Sequence, residues 1–259
     1  MDLEKEKMKN DPAILVRNLS ISIHGNSILK NLSVSIEKFK ITCIVGESGS
    51  GKSTFFKYLL GLREGMQVEG SAFIFGEELI VPSDKIQIVF QDPFLYFNPN
   101  WNLEKSLLEP VFLQKKDPEK LKPILLKNLE MFSLDPNSIH KKPDEFSGGE
   151  LQRLSIVRAL MTEPEILLMD EPVSGLDRLV LEDTIAFIHR LQKQNPMTLV
   201  IITHDLEFAG GVSDSVIVLN RGEIIEFGRS TEVFSNPQNE TTKGLLKARN
   251  LSGIRWKEG

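Results

Sequence analysis

Gly46-Glu47-Ser48-Gly49-Ser50-Gly51-Lys52-Ser53 is spaced as G-x-x-x-x-G-K-[ST], the pattern of a loop that wraps the phosphates of a nucleoside triphosphate. Its glycines let the backbone turn tightly, so that successive N–H groups point inward at anionic oxygens. A helix that starts near Lys52 adds its positive dipole end at the same place. Lys52 has the reach for the β- and γ-phosphates, and the Ser53 hydroxyl is suited to Mg²⁺. Thr54 opens the helical run and completes the set expected at the nucleotide. A Gly/Ser-rich surface turn would share this composition but not its flanks. An apolar β-type run, Ile41–Val45, leads in, and the helix-forming run Thr54–Leu60 leads out.

Further residues carry matching chemistry. Ile166-Leu167-Leu168-Met169-Asp170-Glu171 reads as a buried strand ending in two carboxylates. Asp170 is suited to hold the metal or its water, and Glu171 to orient or deprotonate an attacking water. The same pair alone is better read as an acidic strand end capping the next helix; beside a phosphate loop the catalytic reading is the better one. His204 closes the apolar run Thr198–Thr203, at a strand end where an imidazole could touch a γ-phosphate, whereas His24, His140 and His189 lack such context. Gln91 closes Ile86–Phe90, where its amide could reach Mg²⁺ or water. Ser147-Gly148-Gly149-Glu150 precedes the helical run Leu151–Met161. Ser147 and Glu150 form a capping box, and the glycines leave a second exposed anion-binding helix start.

The elements that must position these groups follow from periodicity and breakers. Ala13–Val16, Leu19–Ile23, Leu32–Ile36 and Ile41–Val45 read as strands, then Ser71–Phe75 and Ile86–Phe90. From Asp92 to about Glu145 the chain turns helical, amphipathic and proline-punctuated, as a helical insertion would. Strands resume at Ile166–Met169 and Thr198–Thr203 with a helix near Leu179–Gln194 between them. Asp214–Leu219 and Glu223–Phe227 then form a hairpin around Asn220-Arg221-Gly222. Alternating strands and helices around a phosphate loop imply a largely parallel sheet flanked by helices. The 259 residues suffice for one α/β domain with an insertion, and the absence of an internal repeat argues against two nucleotide domains.

The net charge of −5 gives no general attraction to nucleic acid or to an anionic membrane. The single cysteine, Cys43, cannot pair within the chain and reads as a small buried apolar residue. No apolar run approaches the roughly 18–20 residues of a membrane span. The charged start Met1–Lys7 is followed by no apolar core, so a frayed tail and no secretory leader are expected.

Taken together, these residues resemble the ATP-binding subunit of an ABC transporter. Gly46–Ser53 resembles the Walker A loop, Gln91 the Q-loop glutamine, Phe146-Ser147-Gly148-Gly149-Glu150 the Leu-Ser-Gly-Gly-Gln signature, and Ile166–Glu171 Walker B with its catalytic glutamate. Ser174-Gly175-Leu176-Asp177 resembles the D-loop, and His204 the switch histidine. The order holds from about residue 13 to 230. Phe90-Gln91-Asp92-Pro93 with Asn98-Pro99, and Phe234–Pro237 leading to Thr242–Leu246, are similar to the peptide/nickel importer branch. The chain departs from the pattern at Phe146, at Glu150, and at Ile23-His24, where an aromatic residue would stack on adenine.

The resemblance implies an α/β fold: a P-loop NTPase core with a mainly parallel sheet, an N-terminal antiparallel β part and an inserted helical subdomain. The core is expected over 13–91 and 162–229, the subdomain over 92–161 and a tail over 230–259. It further implies ATP hydrolysis with Mg²⁺, Glu171 and His204 being catalytic and Ser53, Gln91 and Asp170 serving the metal. Ser147, Gly148, Gly149 and Glu150 would act on a partner's nucleotide in a head-to-tail pair of ATP-binding subunits, with Asp177 in the D-loop. Membrane permease subunits, met by residues 92–110 with the aromatics Phe94, Tyr96, Phe97 and Trp101 (at least half of which are expected to fill the helical subdomain's own core), and indirectly an extracytoplasmic solute-binding protein would complete an importer at the cytoplasmic membrane face. Its solute would be a peptide, nickel or a metal chelate, and no nucleic acid is expected. A soluble ABC-type ATPase of DNA repair or translation is the alternative, disfavoured by the acidic charge and the lack of a long coiled-coil insertion. A regulatory GTPase would need an Asn-Lys-x-Asp segment that is absent.

Overall fold

The computed structural model describes residues 12–114, 117–173 and 178–248. The charged start, the D-loop segment with Asp177 and the end of the tail lie outside the described residues. The chain divides into two compact units, one formed by the segments up to Ser83 and from Leu168 onward, the other by Asp84–Leu167.

In the first unit, β1 (Ile14–Ile23), β2 (Asn26–Ile36), β4 (Met66–Ile74) and β5 (Glu77–Glu78) form an antiparallel sheet in the order β2-β1-β4-β5. Sequence pattern alone interrupts β1 at Arg17-Asn18 and starts β2 only at Leu32. Both strands in fact run on through bulges, where Asn18 and Asn31 take positive φ (49° and 51°). The amides freed at these bulges are satisfied from the neighbouring strand: Asn18 N–H donates to Ser33 Oγ at 2.9 Å and Asn31 N–H to Ser20 Oγ at 3.0 Å. A polar residue that looked like a strand end is therefore a bulge with its own hydrogen-bond partner. Phe75, expected in the strand, instead turns with Gly76 (φ 52° and 85°) into β5.

The second sheet holds β3 (Ile41–Val45), β7 (Ile166–Asp170), β8 (Thr198–Thr203), β9 (Ser215–Asn220) and β10 (Glu223–Arg229), ordered β10-β9-β3-β8-β7. β3 runs parallel to both β8 and β9, in register from Ile41↔Leu199 to Val45↔Thr203. Every residue of β3 and β8 is buried, as continuous apolar runs covered on both faces must be. The register brings Gly46 and His204, the residues after the two strands, to the same end of the sheet. This α/β architecture, with an antiparallel N-terminal part and a mainly parallel second sheet, is the expected one.

The second unit contains β6 (Ile86–Val89) and the helices α2 (Leu103–Leu113), α3 (Pro118–Met131) and α4 (Gly148–Leu160); α1 (Lys52–Leu59) belongs to the first unit. Three of its prolines start helices. Asp92-Pro93, Asp117-Pro118 and Asp135-Pro136 each put an aspartate at the N-cap, where its carboxylate accepts from the N–H two residues on, and a proline at the first helical position. Leu103, Leu107 and Val111 of α2, Leu125 and Leu129 of α3, and Leu151, Leu154 and Val157 of α4 are buried. Each such side chain contributes about 1.5–3 kcal/mol on leaving water.

Candidate functional site

The phosphate loop leaves β3 at Gly46 and enters α1 at Gly51, which is the N-cap, with φ 106° and no side-chain cap. The first N–H groups of α1 are thus left to the loop's hollow. Two close approaches explain the end glycines. A Cβ at Gly46 would collide with the Leu219 carbonyl, and one at Gly51 with the Leu29 side chain. Glu47, Ser48 and Gly49 are exposed, Ser50 is buried, and Thr54 is half-buried in α1. Lys52 is 8% exposed, and its ammonium donates to the carbonyls of Gly46 at 2.8 Å and Glu47 at 2.9 Å and to Ser50 Oγ at 3.4 Å. All three of its protons are directed into the loop. Burial lowers its pKa from the usual lysine value, partly offset by the carboxylates of Glu171 and Asp170.

Asp170, at the end of β7, is half-buried and bonded to the Ser53 side chain. Its pKa is raised, first by burial and then by the adjacent Glu171 carboxylate; Ser53, Lys52 and Lys57 oppose the shift. The two groups assigned to Mg²⁺ from sequence in this unit therefore touch. A hydroxyl and a single carboxylate suit Mg²⁺, which is usually held by one or two carboxylates plus substrate phosphates, rather than a metal needing an all-protein cage. No cluster of three or more His, Cys, Asp or Glu side chains fit for a metal exists among the described residues.

Glu171 has φ 51°, a conformation that costs a non-glycine residue of order 1–3 kcal/mol, and its N–H donates to the Ile202 carbonyl at 2.8 Å. That turn carries the side chain across to β8. There Glu171 Oε2 meets His204 Nδ1 at 2.8 Å and accepts from the His204 N–H at 3.3 Å. A carboxylate accepting here places a proton on Nδ1, and the His204 side chain is 50% exposed. Nothing in the sequence signals the positive φ of Glu171 or the direct Glu171–His204 bond.

Ile23 and His24 lie at the β1–β2 hairpin. Ile23 is half-buried and pairs with Met66, whereas His24 (φ 49°) is exposed in the turn, its ring edge lying where a Cβ on Gly65 would come within 3.7 Å. Within the first unit, then, the loop, Asp170, Glu171 and His204 form one cluster.

Gln91 and the signature residues belong to the second unit. Gln91 is exposed just past β6. Here the Phe90 N–H donates to Tyr96 Oη, which in turn donates to the Ile88 carbonyl at 3.2 Å. Tyr96 thus closes the strand end, and Phe97 is core; of the aromatics expected on the surface, Phe94 is 56% exposed, and Leu95, unremarked in sequence, is 79% exposed. Trp101 is half-buried beneath the Lys105 ammonium. At the start of α4, Ser147 and Glu150 form the expected capping box: Glu150 Oε2 accepts from Ser147 N–H at 2.8 Å, and Ser147 Oγ accepts from Glu150 N–H at 3.3 Å. The Ser147 bonds hold the Glu150 pKa below the ordinary value. Gly148 and Gly149 are exposed, and a Cβ on either would meet nothing within 4 Å.

Residues 29–174 match the ABC transporter family model. The chain is 33% identical over 256 residues to the oligopeptide transport ATP-binding protein OppF of Haemophilus influenzae, covering 93% of this chain and 74% of that protein. It is 36% identical over 220 residues to OppF of Escherichia coli, covering 79% of this chain and 64% of that one. Among solved structures, the ATP-binding cassette MJ0796, a dimer bound to ADP and phosphate after hydrolysis, matches with a TM-score of 0.70 at 26% identity over 84% of this chain and 98% of that one. The fold is also that of CbiO1 from Clostridium perfringens, with a TM-score of 0.80 at 24% identity over 93% of this chain and 96% of that one.

Proposed function

The chain belongs to the ABC transporter ATP-binding family, and from that premise we propose that it is the ATP-hydrolysing subunit of a peptide import system. The observation that carries this reading is the contact between Ser53 and Asp170 beside Lys52, with Glu171 bonded to His204 on the neighbouring strand. Members of the family hydrolyse ATP, and this cluster supplies what that reaction requires. The loop N–H groups and Lys52 bind the phosphates, the latter exchanging a loop carbonyl for a phosphate oxygen. Ser53 and Asp170 would hold Mg²⁺. The bound metal would neutralise charge that develops on the phosphate oxygens. Glu171 takes the proton of the attacking water on Oε1 while His204, through Oε2, fixes its orientation. With a second proton, on Nε2, the His204 imidazolium would donate to a γ-phosphate oxygen.

Gly148 and Gly149 support a paired mechanism. Neither has a positive φ, and neither is crowded by its own chain. Glycine at an exposed helix start lets another body approach the orphan N–H groups closely. A triphosphate on a second ATP-binding subunit is the anion this end is proposed to take. Peptide as the solute rests on the relatives named for oligopeptide transport, and coupling to permease subunits on the exposed Phe94 and Leu95. No helix among the described residues is long and apolar enough to cross a membrane, so attachment at the membrane's cytoplasmic face would come through such partners. The test is to purify the chain with its associated proteins. Mg²⁺-dependent ATPase activity co-purifying with integral membrane proteins is expected. Activity that instead co-purifies in a nuclease-sensitive manner would favour a soluble ATPase.

A further inference from the structure

The outer side of the phosphate loop is braced by a hairpin that no motif includes. β9 and β10 are joined by Arg221-Gly222, both with positive φ (48° and 83°), flanked by the pair Asn220↔Glu223. This two-residue turn lies against the loop. The Gly222 N–H donates to the Ser50 carbonyl at 3.0 Å, and the Gly222 carbonyl accepts from the Lys30 N–H of β2 at 2.8 Å. One residue before the turn pair, the Leu219 carbonyl fills the space where Gly46 would carry a Cβ. From the β2 side, the Leu29 side chain does the same at Gly51. The loop is thus held at its first glycine and at Ser50 by backbone of one hairpin, and at its last glycine by the Leu29 side chain of another.

We propose that the Arg221-Gly222 turn is a strut that sets the shape of the phosphate loop, making Gly222 a positioning residue for nucleotide binding. Holding the Ser50 carbonyl outward orients the adjoining peptide so that the following N–H groups face the hollow. Gly222 is required twice over. Its φ of 83° is one that L side chains rarely adopt, and a Cβ there would collide with the Ile28 carbonyl oxygen and lie 3.0 Å from its carbon. Any side chain at this position must separate the turn from β2 and so withdraw the N–H from Ser50. The inference rests on the loop being the ATP site, and titration of the wild-type protein with a fluorescent ATP analogue and Mg²⁺ tests that premise by itself.

Gly70 provides the control. It has φ 90°, and its Cβ would collide with the backbone carbonyl oxygens of Asn18 and Arg17, the latter at 2.6 Å, in the bulge between β4 and β1. Gly70→Ala therefore carries the same kind of strain with no link to the loop. The expected result is that Gly222→Ala weakens analogue binding by about tenfold, the scale of one mis-set hydrogen bond or slightly more. Gly70→Ala should lower Tm at least as much yet bind within about twofold of wild type, a difference too small to count as a lost hydrogen bond. A folded Gly222→Ala protein with wild-type affinity, or an equal loss in Gly70→Ala, overturns the strut. Should Gly222→Ala fail to fold, amide exchange in the wild-type protein decides. The Gly222 N–H should exchange more slowly when the analogue saturates the loop, and an unchanged rate overturns the proposal. A wild-type protein that binds no nucleotide removes both this inference and the function it rests on.

Discussion

The chain contains two glycine-rich helix starts with similar composition and opposite finish. At Gly51 the helix has no side-chain cap, Ser50, Gly51 and Lys52 are buried, and the loop's first and last glycines are pressed by Leu219 and Leu29. At Ser147 the helix closes on itself through the Glu150 carboxylate, and Gly148 and Gly149 stand in open space. The first start is walled at both end glycines, and its orphan N–H groups have no side-chain cap. In the second, the capping box satisfies only part of the orphan set and leaves the glycine amides at the surface. A helix start that binds its own ligand needs walls, whereas one that docks onto another molecule's ligand needs clearance. The two ends of the proposed reaction are distinguished by packing rather than by residue type.

The largest expected effect tests the walled end. Glu171→Gln keeps the side chain's size and removes its basicity, so turnover should fall about 10²–10⁴-fold, the usual range for loss of a general base. Binding of ATP should survive, and ATP-bound pairs should accumulate on size exclusion. Hydrolysis near the wild-type rate in purified Glu171→Gln protein would falsify the base assignment.

Complementation addresses the open end. Lys52→Ala and Ser147→Arg proteins should each be inactive alone. Mixed in equal amounts they should recover up to about a quarter of wild-type activity, because half the pairs are mixed and each mixed pair keeps one of two composite sites. No recovery from two folded, pairing variants would mean that the signature acts within its own chain, and the contrast between the two helix starts would lose its functional meaning.

A third outcome separates stability from function at the walled end. Burial and Glu171 raise the Asp170 pKa, so the charged carboxylate is disfavoured in the folded protein. That penalty is complete above the raised folded pKa. It fades as pH falls through it and is gone below the ordinary value of 3.8. Asp170→Asn should therefore raise Tm at neutral pH while abolishing Mg²⁺-dependent hydrolysis. The gain should be about 2–4 °C, a modest shift for a chain of this size, since solvent screens a half-buried group. It should shrink in acid. A Tm lowered at neutral pH would show that the Asp170–Ser53 bond outweighs desolvation.

What was legible in the sequence divides along similar lines. Features set by local order could be read directly: Gly46–Ser53 between a strand and a helix, the Ser147–Glu150 box, and the buried run Thr198–Thr203 that ends at His204. Features set by the neighbouring strand could not. Asn18, Asn31 and Gly70 read as strand breakers, yet each occupies a bulge whose partner lies 11 or more residues away, so β1, β2 and β4 came out too short. For Tyr96 the sequence left surface and core open, and its hydroxyl, closing β6, decides between them. The backbone turn at Glu171, which brings its carboxylate to His204, depends on the Ile202 carbonyl of β8, a partner that only the assembled sheet supplies.

The smallest expected effect lies where the walled end meets the base. A stacked aromatic is worth about 1–3 kcal/mol in other nucleotide contacts. This chain offers Ile23, half-buried in β1, and His24, which the two-residue turn holds exposed beside Gly65. Phosphate contacts should then carry most of the affinity, and ATP and GTP should differ by within about tenfold, roughly the value of one missing stack. Ile23→Tyr should tighten ATP more than GTP if the side chain faces the base, because it adds a ring where only branched aliphatic contact exists. His24→Ala should change little, since the turn directs His24 toward the β4 end. The measurement is a pair of titrations, ATP and GTP, on each protein. Strong ATP preference that persists in both variants would place base recognition outside this hairpin, and the partner subunit brought to the open helix start would be the next place to look.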